Sequence, residues 1–223
     1  MAFVDFELIK KNKLTQDVFE LVFSCKDFKN SLPWQFITFM LPKTRFARAY
    51  SILKQDWENF YFLIKRLENW RWWSKEICDI DVWTVLKWTL PIWHFLVQEN
   101  SKNKLFIWTW TWLVPLYFQI KYLLENNFRW KYKLILWNRE ERDLYYIDEL
   151  NSLKCDNFDF EIYLSQENNN NFKYWRVWAF LTEENIKKFD EFYICWNPEM
   201  VDDAVSKLIS LWVDKELIFM EKY

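Results

Sequence analysis

Glycine is absent from this chain of 223 residues. Average usage is about 7%, which would give roughly 16 glycines here. Tight turns and backbone positions with φ > 0 ordinarily need a residue without Cβ. Either Asn, Asp and Pro make every turn, or another residue stands where glycine belongs. Tryptophan, normally among the rarest residues, occurs 17 times, close to the number of glycines missing. Lys, Asn, Ile, Phe and Tyr are abundant and Ala is scarce, as in AT-rich coding DNA, where the UGA codon is open to reassignment. The sequence therefore predicts that UGA codons meant as glycine are written here as tryptophan.

Other absences narrow the function. With 30 basic and 32 acidic residues the formal net charge is −2, so no basic patch supports a nucleic-acid partner. No apolar run is long enough to span a membrane. The stretch from Leu105 to Leu116 is too short and is interrupted by Thr109 and Thr111. No signal-peptide pattern is present. Cys25, Cys78, Cys155 and Cys195 are scattered and match neither a zinc nor an iron–sulfur spacing. A reduced, cytoplasmic chain without a bound metal is expected. His94 is the single histidine, and no Ser–His–acid or paired-carboxylate constellation accompanies it.

What is present divides in two. Val4 to Ile9, Val18 to Phe23, Phe36 to Leu41 and Phe60 to Leu67 are short runs of β-branched and aromatic residues bounded by Asn, Asp, Pro or Trp. They predict a small antiparallel barrel over residues 1–99. One short helix, Ser74 to Cys78, is expected there with Ser74 as its N-cap. Glu99 to Lys104 is polar and reads as a linker. Over residues 104–223 the pattern alternates. Strands are expected at Leu105–Ile107, Lys133–Leu136, Phe160–Leu164, Phe192–Cys195 and Leu217–Met220. Helices are expected at Val114–Asn126, Leu144–Leu153, Glu183–Phe189 and Pro198–Leu211. Such alternation implies a doubly wound parallel sheet.

The tryptophans stand on punctuation. Trp34 follows Pro33, Trp130 and Trp212 each follow a helix, and Trp137 and Trp196 end strands. Trp108, Trp110 and Trp112 alternate with Thr109 and Thr111 between a strand and a helix. A Trp-rich binding face, the alternative, requires Trp at face periodicity rather than at breaks.

Several motifs occur in order. Arg48-Ala49-Tyr50-Ser51 is followed by Ile64-Lys65-Arg66 and by Trp70-Arg71-Trp72-Trp73-Ser74, which reads Gly-Arg-Gly-Gly-Ser with glycine restored. Trp88 to Phe95 then reads as a Gly-Pro-x-Gly-x-Phe segment with Thr89 and Leu90 extra. Trp108 to Pro115 becomes Gly-Thr-Gly-Thr-Gly-Leu-Val-Pro. Trp137-Asn138-Arg139, Trp175-Arg176-Val177, Cys195-Trp196-Asn197-Pro198-Glu199-Met200 and a final Glu221-Lys222-Tyr223 complete the series. Together they resemble the ferredoxin–NADP reductase superfamily along nearly the whole chain.

The resemblance implies a six-stranded antiparallel FAD-binding barrel followed by a doubly wound NAD(P)-binding domain. In that family Tyr50 packs on the flavin ring, Ser51 bonds its N5, and Arg48 meets the pyrophosphate. An aromatic face suits a planar ring, and a guanidinium fork suits a phosphate. Ile64, Lys65, Trp72, Trp73 and Ser74 would hold FAD, with helix N-terminal amides on the pyrophosphate and Tyr223 over the other ring face. Trp108, Thr109, Trp110, Thr111, Pro115, Arg139, Trp196 and Met200 would hold NADH or NADPH. Cys195 would lie beside the nicotinamide, and Glu221 joins Tyr50, Ser51 and Cys195 around the reacting atoms. The implied activity is flavin-dependent reduction, with a hydride passing from NAD(P)H to FAD and electrons to a ferredoxin- or flavodoxin-like acceptor. An electron-transfer subunit of a larger redox complex is the alternative. Ser165-Gln166 stands where NADPH users of the family commonly carry Ser-Arg, so NADH is expected to be preferred.

Overall fold

The computed structural model describes residues 3–27, 31–32, 35–68, 72–89, 92–93, 95–109, 113–126, 130–196 and 198–222. The motif positions Trp34, Trp70, Arg71, Leu90, Pro91, His94, Trp110, Thr111, Trp112, Asn197 and Tyr223 lie outside them. The chain divides into two compact units, Met1–Leu96 and Val97–Tyr223.

The first unit is an antiparallel sheet. Its strands are β1 (Phe3–Lys13), β2 (Val18–Ser24), β3 (Gln35–Met40), β4 (Ala47–Ser51), β5 (Lys54–Asp56), β6 (Asn59–Lys65), β7 (Val85–Thr89) and β8 (Ile92–Trp93). They run in the order β4-β3-β7-β1-β2-β6-β5, with β8 beside β3. The antiparallel sheet expected here is present; among the described residues its path holds seven strands, one more than the expected six. One addition is β5, a polar Lys-Gln-Asp run with no strand signal of its own, paired to β6 across the two-residue turn Trp57–Glu58. Inward-facing aromatics fill the core. Phe6 stacks on Trp88 at 4.0 Å, and Phe23, Phe39 and Phe62 surround the same indole. Trp88 is fully buried with its Nε1 lacking a hydrogen-bond partner, an unfavourable state for a donor.

The helix α1 (Trp72–Asp79) follows β6. Ser74 is its third residue rather than its N-cap. The Ser74 hydroxyl oxygen instead accepts the Leu67 amide at 3.1 Å, drawing the chain end of β6 onto the helix.

The second unit is a parallel sheet of β9 (Lys104–Thr109), β10 (Tyr132–Asn138), β11 (Phe158–Leu164), β12 (Lys173–Tyr174), β13 (Glu191–Trp196) and β14 (Ile218–Lys222), in the order β12-β11-β10-β9-β13-β14. The connecting helices are α2 (Leu113–Glu125), α3 (Ile147–Leu153), α4 (Glu183–Ile186) and α5 (Pro198–Ser210). Strands buried on both faces read as continuous apolar runs, which is why Leu134 to Trp137 and Phe192 to Cys195 were visible in sequence. Val201, Ala204, Val205 and Leu208 of α5 pack on Leu105, Ile107, Ile135 and Ile194.

Two expectations are corrected here. The predicted helix from Leu144 is broken: a 3-10 turn occupies Glu141–Asp143, and α3 begins only after Tyr146, whose φ of 61° interrupts the helix. The polar run Glu99–Lys104 is not a free linker. Lys104 is fully buried, and its Nζ meets Glu191 at 3.0 Å and Asn100 Oδ1 at 2.6 Å. A charge can be buried in this way because it is paired and hydrogen-bonded.

Six described residues have left-handed φ, and four are tryptophans: Trp57 (54°), Trp83 (74°), Trp175 (139°) and Trp212 (65°). Trp212 follows α5, where its amide bonds Ile209 O and the next amide bonds Leu208 O. That is the Schellman pattern, whose left-handed residue is usually glycine. Trp83 is the third residue of the turn Asp81–Thr84, closed by Thr84 N to Asp81 O at 3.1 Å, again a glycine position. No helix among the described residues is long and apolar enough to cross a membrane.

Candidate functional site

In the first unit, β4 and the start of α1 meet. Strand alternation places Arg48 and Tyr50 on one face of β4. Tyr50 packs at a steep angle against Phe39, with ring centroids 5.3 Å apart. The Arg48 guanidinium lies over the Trp73 indole at 3.8 Å, and its Nη1 donates to Ala47 O. Two buried donors on this segment, Arg48 Nε and Thr44 Oγ1, have no hydrogen-bond partner. Buried donors without partners are rare, and phosphate oxygens satisfy both. These residues therefore fit the phosphates of FAD, with Trp73 covering a guanidinium face that glycine would leave open.

Other predicted FAD residues have structural duties. Ile64 is core, so only its backbone can meet a ligand. Lys65 Nζ pairs with Asp17 at 3.0 Å. Trp72 projects into solvent, 78% exposed.

The second unit builds its site on sheet register. Chain order runs outward from β9 to β12 on one side and resumes with β13 and β14 on the other. The switch therefore falls between β9 and β13, and ligands of open parallel sheets bind outside the strands' carboxyl ends at such a point. Three rows cross one face there. Lys104 is level with Glu191, Phe106 with Tyr193 and Phe219, and Trp108 with Cys195 and Glu221. The middle row is a continuous aromatic stack, Phe106 on Tyr193 at 5.1 Å and Tyr193 on Phe219 at 4.8 Å. It holds the last row, at the carboxyl ends, in place.

Cys195 and Glu221 are thus brought side by side. Cys195 is wholly buried, and burial first, then the Glu221 charge, push its thiol well above the ordinary range. It stays a neutral thiol, unsuited to nucleophilic attack. Trp108 is buried beside it. An indole at position 108 therefore occupies the carboxyl-end row of this edge, where ligands of open parallel sheets bind.

The remaining predicted nucleotide residues surround the same edge. Thr109 and Trp196 end β9 and β13, Pro115 is buried in the first turn of α2, and Met200 in α5 packs on the core. Arg139 is exposed just after β10. Trp110, Thr111 and Tyr223 lie outside the described residues.

Sequence reasoning missed Glu76. This buried acid of α1 accepts Lys43 N at 2.6 Å and Thr44 N at 3.2 Å. Only an acid beside the apolar Ile77 and Cys78 marked it in sequence.

No protein-family model matches the chain. Over 141 residues, 60% of its length, it is 26% identical to the electron transfer component XylA of xylene/toluene monooxygenase from Pseudomonas putida, and the match spans 40% of that relative. Among solved structures it resembles the ferredoxin–NADP+ reductase of Neisseria gonorrhoeae with bound FAD and NADP (TM-score 0.84, 17% identity, 100% of this chain and 99% of that one). The FAD/NAD-binding domain of nitric oxide dioxygenase from Vibrio cholerae gives 0.83 at 17% identity, covering 99% and 98%. The Amycolatopsis cytochrome P450 reductase GcoB gives 0.86 at 16%, covering 99% and 69%. An antiparallel sheet with one short helix, followed by a six-stranded parallel sheet, is the fold of the ferredoxin–NADP reductase-like proteins, and this chain has it.

Proposed function

We propose that the chain is a flavin-dependent NAD(P)H reductase, binding FAD on the first unit and NADH or NADPH on the second. The observation that carries this reading is the Arg48–Tyr50–Ser51 strand set against the start of α1, with a buried Arg48 donor lacking a partner. Bound flavin and nicotinamide supply the hydride chemistry and the release of single electrons. The chain's part is to hold and orient. Tyr50 offers an aromatic face, Ser51 a hydroxyl for the ring N5, and Arg48 a fork for phosphate. Cys195 and Glu221 furnish the floor and a carboxylate at the switch point. A ferredoxin- or flavodoxin-like protein is the electron acceptor. The XylA resemblance favours a second reading, an electron-transfer component of a larger oxygenase or redox complex, which co-purification with a partner would support.

The working form of the chain carries glycine at most or all of the tryptophan positions. Support comes from the four left-handed tryptophans and from the indole that fills the nucleotide edge at Trp108. The test expresses both forms, adds FAD, and records visible spectra before and after NADH or NADPH without oxygen. A yellow glycine form bleached by a reduced nicotinamide is expected. Absence of flavin absorbance from both forms would overturn the reductase reading. Equal folding and flavin binding by the two forms would overturn the glycine reading alone.

A further inference from the structure

We infer that Glu76 is a positioning residue for the FAD pyrophosphate site, locking the turn that launches the Arg48 strand to the helix whose N-terminus faces the phosphates. This rests on the reductase reading and names a residue that no binding motif contains.

The chain makes a sharp turn between β3 and β4. Leu41 N bonds Phe46 O at 3.1 Å, Arg45 N bonds Leu41 O at 3.0 Å, and Arg45 has φ 55°. The Lys43 and Thr44 amides, which the turn leaves unused, converge on the Glu76 carboxylate from 33 and 32 residues away. Charge-assisted bonds of this kind are short and strong. Glu76 lies one helical turn from Trp72 and Trp73, and β4 begins three residues after Thr44. The acid therefore fixes both the start of α1 and the backbone leading to Arg48. Arg48 and Thr44 each carry a buried donor without a hydrogen-bond partner, so the segment it steadies is a segment left with donors for a ligand.

The other ties on α1 act elsewhere. Arg66 grips Asp79 with Nε at 2.8 Å and Nη2 at 3.0 Å at the far end of the helix. Lys11 Nζ donates to Cys78 O and Ile80 O. These hold the helix to the sheet without touching the turn before β4. Loss of Glu76 frees that turn specifically, whereas loss of Asp79 loosens the helix end.

The two ties predict different ligand effects. FAD spans the ring site and the pyrophosphate site, while riboflavin has the ring and no phosphate. The experiment measures dissociation constants for FAD and riboflavin, and the apo melting temperature, for parent, Glu76→Ala, Glu76→Gln and Asp79→Asn. It uses the full chain in whichever form, Trp or Gly, binds FAD. Glu76→Ala is expected to weaken FAD on the order of tenfold, as for a lost charged hydrogen bond, with riboflavin unchanged. Glu76→Gln keeps an acceptor oxygen for Lys43 N and should fall between. Asp79→Asn should lower the melting temperature with the FAD-to-riboflavin ratio unchanged. Equal loss for both ligands in Glu76→Ala, or no loss for FAD, overturns the assignment. Should Glu76→Ala fail to fold, the same comparison in Glu76→Gln decides, and a parent-like FAD-to-riboflavin ratio overturns it. A parent that binds no flavin in either form overturns the reductase reading, which is a separate result.

Discussion

At the residue scale, the left-handed tryptophans separate two opposed effects. A side chain at such a position costs roughly 1–2 kcal/mol. Replacing it by glycine increases the freedom of the unfolded chain, which costs about 0.4–1 kcal/mol. The indoles of Trp57 and Trp212 are 89% and 92% exposed, so little burial is lost, and strain relief wins. Each of Trp57→Gly, Trp83→Gly and Trp212→Gly is expected to stabilise by about 0.5–1 kcal/mol. For a chain of this size that raises Tm by about 1–4 °C per site. The alanine variants at the same sites are the control, because Cβ retains the strain. Alanine raising Tm as much as glycine would show that bulk, not backbone, is the problem. Peptide masses from the native host supply a direct check, with glycine expected at all four left-handed positions.

At the element scale, the second unit was the more legible. Its strands are apolar and its helices alternate with them, so type and order followed from pattern. What escaped was set by geometry. Lys54–Asp56 becomes a strand because a two-residue turn folds it onto β6, and Leu144–Tyr146 is not helical because Tyr146 adopts a left-handed backbone. The site divides similarly. Arg48, Tyr50 and Ser51 form a local word in the sequence. Glu76 and its turn are far apart in the chain, and Cys195 with Glu221 meet only through β13–β14 register.

Two tests belong to these elements. Tyr50→Ala or Ser51→Ala should weaken flavin binding or slow flavin reduction, on the order of tenfold or more, as for loss of an aromatic contact or an oriented donor. Flavin content and reduction kinetics matching the parent in both variants would remove β4 from the site. The loops after β10 and β11 bear on the choice between NADH and NADPH. Gln166 N bonds Arg139 O at 2.9 Å, and Glu167 accepts Glu141 N at 2.8 Å and Asn169 Nδ2 at 2.9 Å. These bonds hold the Glu167 carboxyl below the ordinary range, so it stays ionised. Arg142 is engaged by Glu140 at 2.6 Å. A ribose 2′-phosphate would meet an anion there and lack the arginine of Ser-Arg chains. NADH is therefore expected to give the higher kcat/KM, and a clear preference for NADPH in steady-state kinetics would overturn this.

At the scale of the whole molecule, the charge network sets the response to acid. Burial raises the Glu191 carboxyl, but hydrogen bonds from Asn100, Lys104 and Tyr193 outweigh it and leave it below the ordinary range. Asp79 is lowered by its bond to Arg66. Glu161 is lowered as bonds from Lys173 and Lys133 overcome its burial. Each carboxyl is a stronger acid folded than unfolded. Unfolded carboxyls titrate near about 4. Just below that pH the unfolded chain takes up protons that the folded chain refuses, so stability present above it is lost as pH falls towards the folded values. The melting temperature should therefore hold through neutral pH and drop below about pH 4.5. Glu191→Gln isolates one contribution. It leaves buried Lys104 without its carboxylate partner, which at neutral pH is expected to destabilise by about 3–5 kcal/mol. It also removes one depressed carboxyl, so the variant's acid limb should be shallower and the two curves should converge at low pH. Curves that stay parallel from pH 7 to pH 3 would mean that the Lys104–Glu191 pair contributes nothing that protonation can remove.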